Sequence, residues 1–292
     1  MQHIQKIILN FIFKTLSYLP LTWLQYLGGC VGILAMKLSK RAGNRIKTNL
    51  LATGMCNESD VDSMARDVAA EFGKTLFESA CIAWQHSKEK ITKLVLEAKN
   101  FDLVMQAASS NRPVVFLTPH IGNFEIAVKH FVTTNTKKLT ILYKPDKNKV
   151  FNQIMLEGRR ESNLNPVPTN RHGVASLMKA LKANESIGIL PDSVASGGDG
   201  VWVDFFGKKV FATTLAAKMV NYPDAVVFVV ASYRVKGGFI ADYQPYTPKS
   251  TDIKEIVQDL YKKFEKMILL APTQYYWSYD RFRVPKHSPE IK

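Results

Sequence analysis

His120 and Glu125 stand five residues apart in Thr-Pro-His-Ile-Gly-Asn-Phe-Glu, residues 118–125, directly after the apolar run Val114-Val115-Phe116-Leu117. A carboxylate that fixes an imidazole tautomer leaves the other ring nitrogen able to take a proton from a hydroxyl. On a continuous helix, residues five apart diverge by about 140° and do not meet. They meet when the histidine lies in a loop and the glutamate in the first helical turn. Pro119 and Gly122 both disfavour a continuous helix there. His120 and Glu125 are therefore expected to work as a pair at a strand–loop–helix junction. A loop histidine capping a helix, beside a glutamate that complements the helix dipole, describes the same spacing and stays open at this point.

Asp192, in Leu190-Pro191-Asp192-Ser193, follows another apolar run. It is expected to orient a catalytic or binding group, or to cap a turn. Arg159-Arg160 at a helix end offers bidentate donors for phosphate or carboxylate, or forms a solvated helix terminus. Ser196-Gly197-Gly198-Asp199-Gly200 reads as a flexible loop, but it lacks the lysine of a phosphate-binding loop. Trp202, Phe205 and Phe206 are expected in the core or in an apolar pocket wall. The segment Tyr275–Arg283 interleaves aromatics with arginine. That pattern suits base stacking, or packing on a sheet with arginines aimed at an anion.

These residues need elements to hold them. The periodicity predicts a long amphipathic helix over 57–84 and then alternating strands and helices. The strands are 93–98, 114–118, 139–143, 165–169, 187–190 and 225–233, with 239–243 as a hairpin partner. The helices are 101–110, 123–133, 150–160, 174–183, 213–220 and 253–270. Such alternation predicts an α/β fold with a mixed, largely parallel sheet flanked by helices. In such sheets chemistry collects beyond the C-terminal ends of the strands, where His120 and Asp192 both fall.

Residues 15–36 carry no charge over 22 positions, close to the roughly 20 a spanning helix needs. Pro20 divides the region into two helices, 4–17 and 21–38. Lys37, Lys40, Arg41, Arg45 and Lys47 follow, which places the downstream side in the cytoplasm. Trp23 and Tyr26 suit a lipid interface, and Gly28 and Gly32 suit close helix packing. A signal peptide fits poorly, since no small-residue cleavage site follows and the basic cluster is on the wrong side. The expected organisation is an N-terminal membrane anchor over 1–40 and one catalytic domain over 41–292.

The chain of 292 residues is 46% hydrophobic, which excludes disorder as the dominant state. Lysine plus arginine number 39 against 25 acidic residues, a net charge of +14 that suits an anionic partner. Cys30, Cys56 and Cys81 form no metal-ligand pattern and no disulfide framework, in keeping with a reducing compartment.

Taken in order, the segments resemble the late acyltransferases of lipid A biosynthesis, a branch of the glycerolipid acyltransferase superfamily. His120 and Glu125 match its His-x4-Asp/Glu signature. Tyr143-Lys144-Pro145 with Gly158-Arg159 is similar to its Tyr-Arg-Pro and Gly-Arg segments. Leu190-Pro191-Asp192 with the block from Gly200 to Gly207 resembles its Pro-Asp…Phe-Phe-Gly block. Pro272 to Trp277 with Arg281-Phe282-Arg283 is similar to its C-terminal ending. Lys144 stands where the family has arginine, Thr273 where it has glutamate, and Tyr279-Asp280 where it has His-Arg.

The resemblance implies transfer of a fatty acyl group from acyl carrier protein to a hydroxyl of a lipid A precursor at the bacterial inner membrane. The catalytic domain would lie on the cytoplasmic face. His120 is then the base and Glu125 its partner, with no metal, no cofactor and no covalent acyl-enzyme. Asn123, Lys144, Arg159, Asp192 and Arg281 are expected to bind substrate, Asn123 and nearby backbone N–H groups serving an oxyanion. Acyl carrier protein is acidic and lipid A precursors carry phosphates, so both suit the charge. The other partner is membrane phospholipid, and nucleic acid is not expected. Two alternatives remain at this stage: acyl transfer to another membrane lipid or glycolipid, and a non-catalytic basic protein of the membrane surface.

Overall fold

Seven strands form one sheet in the order β1-β9-β8-β2-β5-β3-β4, and every neighbouring pair is parallel except the β8–β9 hairpin. The computed structural model describes residues 7, 11–84, 87–146, 148–159, 161–195, 199–286 and 288–289. Its strands are β1 Val95–Lys99, β2 Val114–Leu117, β3 Leu139–Tyr143, β4 Leu164–Pro168, β5 Ser186–Ile189, β8 Val226–Val235 and β9 Gly238–Tyr246. A separate antiparallel ribbon comprises β6 Gly200–Phe205 and β7 Lys208–Thr213. This is the mixed, mostly parallel α/β arrangement expected from the alternation.

Two apolar layers explain the sheet. On one face Val115, Leu117, Ile187, Ile189, Val227 and Val229 pack beneath α8 Arg171–Lys182, α9 Leu215–Val220 and α10 Ile253–Leu270. On the other face Val114, Phe116, Leu139, Ile141, Phe228 and Val230 meet α5 Phe101–Ser109 and α6 Phe124–Thr134. The alternation along β2 sends successive residues to opposite layers, as a strand covered on both faces requires. Helix α10 starts where the Asp252 side chain accepts from the Glu255 N–H. It buries Ile256, Val257, Leu260, Tyr261, Phe264, Met267 and Ile268 along one stripe.

The ribbon differs from the sequence expectation, which read residues 196–200 as a loop and recognised no second strand. Phe205 pairs with Lys208 across Phe206-Gly207, and both turn residues have positive φ, 47° and 72°. That is the two-residue turn whose twist suits a hairpin. Phe205 is fully buried against Tyr261 and Tyr275, so it belongs to the core. Residues 196–198 lie outside the described residues.

Three helices precede the sheet: α1 Leu21–Leu38, α2 Lys40–Ala52 and α3 Val61–Trp84. The short α4 Lys88–Leu94 leads into β1, and α7 Lys149–Gly158 connects β3 to β4. Residues 11–16 are helical and Pro20 caps the start of α1, so the apolar region is divided where proline was expected to divide it. The part of the 4–17 helix before residue 11 falls outside the described residues apart from Ile7. Helix α1 is long and apolar enough to cross a membrane by length and composition. Its inner flank lies backbone to backbone on α3. A Cβ at Gly32 would stand 2.1 Å from the Ala69 carbonyl oxygen, and one at Gly73 would stand 2.0 Å from that of Gly28. Its outer flank exposes Trp23, Tyr26, Leu34 and Leu38.

One buried histidine gives the fold an acid-sensitive point. His130, 5% exposed, stacks at a tilt on Phe101 with centroids 4.3 Å apart, and among the described residues nothing reaches its Nδ1. Burial pulls its pKa from 6.5 down to about 4. Between those values the unfolded chain binds a proton that the folded chain refuses. Stability therefore rises with pH across that window and is lost as pH falls from 6.5 toward 4, by about 3 kcal/mol. His130→Phe is expected to flatten this limb in urea midpoints measured from pH 7 to 4. An unchanged slope would show that other groups carry it.

Candidate active site

Strands β2 and β5 are neighbours with Leu117 paired to Ile189, so the loops leaving their C-terminal ends run side by side. The first carries His120 and the second Asp192. The first loop is fixed along its length. The Ile121 N–H donates to Pro119 O, the Gly122 N–H to Gln274 O and the Asn123 N–H to Ser232 O, while His120 O accepts from the Tyr276 N–H. Gly122 has φ +56°, and a Cβ there would lie 1.8 Å from Ser232 O. Glycine is required at this position because the chain turns left-handed against the end of β8.

His120 pairs with Asp192, not with Glu125. The distance from His120 Nδ1 to Asp192 Oδ1 is 2.6 Å, and the His120 backbone N–H donates to Asp192 Oδ2 at 3.0 Å. Asp192 is fully buried and also accepts from Tyr275 Oη–H at 3.0 Å and from Arg281 Nη2 at 3.2 Å. Burial alone would push this carboxyl up. The His120 ring, the Arg281 guanidinium and the His120 hydrogen bonds outweigh it and hold the carboxyl well below its ordinary value. Asp192 is therefore ionised and accepts the Nδ1 proton, which places the imidazole lone pair on Nε2.

Glu125 does lie in the first turn of α6, as the spacing required, but its carboxylate is held elsewhere. Arg159, at the C-terminal end of α7, clamps it through Nε at 3.2 Å and through Nη2. Glu125 in turn raises the Arg159 pKa against the opposing effect of burial. Three further expectations are corrected here. Asn123 is fully buried, where its Oδ1 caps α6 and its Nδ2 donates to Glu78, so it is not a substrate ligand. The backbone N–H groups of Ile121, Gly122 and Asn123 are all bonded within the protein, which removes them as oxyanion donors. Asp192 and Arg281 sit behind the imidazole instead of facing substrate; Arg281 is 3% exposed and stacked over Tyr275 at 5.0 Å.

A cavity of about 1320 Å³ opens at the exposed edge of the His120 ring. Glu125 and Arg159 line it beside His120. Phe116, Phe131, Leu139, Ile141 and Val230 continue it as an apolar arm between α6 and the sheet. Lys144 and Arg171 stand at its rim, and so does Tyr279, whose hydroxyl accepts from the Val194 N–H. Lys144 thus borders the same cavity as His120. Asp280 turns away and pairs with Arg45 of α2 at 3.0 Å. Arg160 lies outside the described residues. Sequence reasoning did not find Glu78 or Arg234; each is a polar group in an apolar setting, and that was the available signal.

Residues 1–284 match the sequence profile of the family described as bacterial lipid A biosynthesis acyltransferase. The lipid A biosynthesis palmitoleoyltransferase of Escherichia coli (strain K12) is 24% identical over 274 residues, covering 91% of this chain and 86% of that protein. The lipid A biosynthesis lauroyltransferase of the same strain is 24% identical over 272 residues, covering 91% and 87%. A lipid A biosynthesis acyltransferase of Haemophilus influenzae is 23% identical over 291 residues, covering 96% and 88%.

Proposed function

Given that the chain belongs to the bacterial lipid A biosynthesis acyltransferase family, we propose that it transfers a fatty acyl group from an acyl carrier protein thioester to a hydroxyl of a lipid A precursor. As a member of that family it is an acyltransferase acting in lipid A biosynthesis. Donor, mechanism and topology are our reading. The observation that carries it is the His120–Asp192 pair at the mouth of a large cavity with an apolar arm.

An alcohol is a weak nucleophile and a thioester a good acyl donor, so the main requirement is a base. Nε2 of His120 takes the hydroxyl proton as the oxygen attacks the thioester carbon, and Asp192 stabilises the imidazolium that forms. The tetrahedral intermediate carries its negative charge on the former carbonyl oxygen. Arg159 lines the same cavity as His120, its Nη1 lies outside the pair with Glu125, and it is the donor assigned to that oxyanion. Collapse breaks the carbon–sulfur bond, and the leaving thiolate takes the proton from His120. Ester and thiol leave, and the imidazole is neutral again. Glu125 thus acts on the reaction by holding Arg159. The apolar arm takes the acyl chain, and the cationic rim faces the phosphates of the acceptor and the acidic carrier. The apolar flank of α1 meets the phospholipid of the inner membrane with the catalytic residues on the cytoplasmic side.

Mass spectrometry of lipid A from cells lacking the protein tests the reading. A loss equal to one fatty acyl group is expected, and its mass gives the chain length. An unchanged lipid A profile would overturn the assigned acceptor.

A further inference from the structure

Outside the reacting groups, the most unusual cluster in the molecule is a buried ionic node on the far side of the catalytic loop. Glu78 of α3 is fully buried and accepts four hydrogen bonds. Arg234 Nε and Nη2 donate at 2.5 Å each, Asn123 Nδ2 at 3.1 Å and Gln25 Nε2 at 2.8 Å. Arg234, 8% exposed near the end of β8, also binds Glu71 and donates to Thr75 Oγ1 at 2.8 Å. Thr75 Oγ1 in turn donates to Gly122 O at 3.0 Å, and the Gln274 side chain bridges the Arg234 N–H and carbonyl.

A buried ion pair is weak evidence for stability, since apolar residues of similar volume often do as well. What apolar residues cannot do is aim a polar loop. Two links of this node, Asn123 to Glu78 and Thr75 to Gly122 O, end on the segment that follows His120, and those made by Arg234 end on the strand end that receives it. We propose that Glu78 is a positioning residue for His120, tying the catalytic loop at Asn123 to β8 through Arg234 and to the apolar helix α1 through Gln25. The proposal rests on His120 being the base and adds how the base is aimed. It also makes α1 part of the active-site construction, because Gln25 supplies one of the four donors.

Glu78→Gln retains shape but places an amide against the Arg234 donors. In purified full-length enzyme with acyl carrier thioester and lipid acceptor, kcat is expected to fall about 10- to 100-fold with both KM values nearly unchanged, since a misplaced base costs rate and not binding. The second arm is a double-mutant cycle with Asn123→Ala. If Glu78 acts through Asn123, the double variant is scarcely slower than the worse single one. Gln25→Leu removes one donor only and serves if Glu78→Gln does not fold; a several-fold loss of kcat at unchanged KM is expected. A folded Glu78→Gln enzyme with full kcat, losses that multiply in the cycle, or a folded Gln25→Leu enzyme of normal kcat where Glu78→Gln does not fold, overturns the proposal. His120→Ala is the control. If it abolishes transfer while Glu78→Gln retains full rate, only the positioning role fails; if transfer survives in His120→Ala, the base assignment itself fails.

Discussion

Asp192→Asn is expected to lower kcat by about 10³- to 10⁴-fold, the largest loss after removal of His120 itself. The asparagine cannot be both a negative charge beside Nδ1 and an acceptor for every donor that converges there. Those donors are the His120 ring and backbone N–H, the Tyr275 hydroxyl and Arg281. An amide aimed at Nδ1 forces the proton onto Nε2, the nitrogen that has to accept one. Arg281 also loses its buried counter-charge, so stability should fall by about 3 to 5 kcal/mol, and rates have to be referred to folded protein. Glu125→Gln is the contrast. It leaves the His120–Asp192 bond intact and disturbs Arg159, so its kcat should fall by less than that of Asp192→Asn. A Glu125→Gln enzyme without activity, together with an Asp192→Asn enzyme of full rate, would return the imidazole to Glu125.

Gly122→Ala carries the second large effect. Its φ of +56° is disfavoured for alanine by about 1 kcal/mol, and its Cβ would stand 1.8 Å from a backbone oxygen that has nowhere to retreat. Ser232 O is held by the Asn123 N–H and lies in β8, whose neighbours β2 and β9 fix it on both sides. The loop must therefore move. A shift of about 1 Å at the base costs on the order of 100-fold in rate. The expected enzyme folds with a lowered melting temperature and loses at least that factor in kcat. Near-normal kcat in a folded Gly122→Ala enzyme would show that the loop tolerates displacement and that His120 is not held as described.

The elements around the site were legible because their signals are local. The run Val114–Leu117 with Pro119 and Gly122 marked strand and loop, and the stripe from Ile256 to Ile268 marked α10. The partner of His120 was not legible, because it depends on strand order. Seventy-two residues separate His120 from Asp192, and only the placement of β5 beside β2 brings them together. Spacing within one loop favoured Glu125, whereas the sheet supplied the nearer carboxylate and α7 brought Arg159 to claim the glutamate. Asp192 had been marked as a group able to orient another, which is its position here. The ribbon was missed because Phe206-Gly207 is a less obvious turn than Asn-Gly, and because the glycines before it read as a loop. Glu78 and Arg234 left only a faint trace, single charges inside apolar periodicity, with nothing to say that they meet.

The glycine seam between α1 and α3 has a geometric consequence for how substrate is met. A protein on a flexible leash samples many heights above a bilayer. Here Gly28, Gly32 and Gly73 bring two backbones into contact, and Gln25 is bonded to the node behind the catalytic loop. On the proposed placement of the outer flank of α1 in lipid, the altitude of the imidazole over the membrane is a fixed dimension of the fold, like the arm of a gauge. That placement predicts that an acceptor is sorted by the depth at which its hydroxyl rides as well as by its chemistry, so that two lipids with identical headgroups but differently sunken hydroxyls react at different rates.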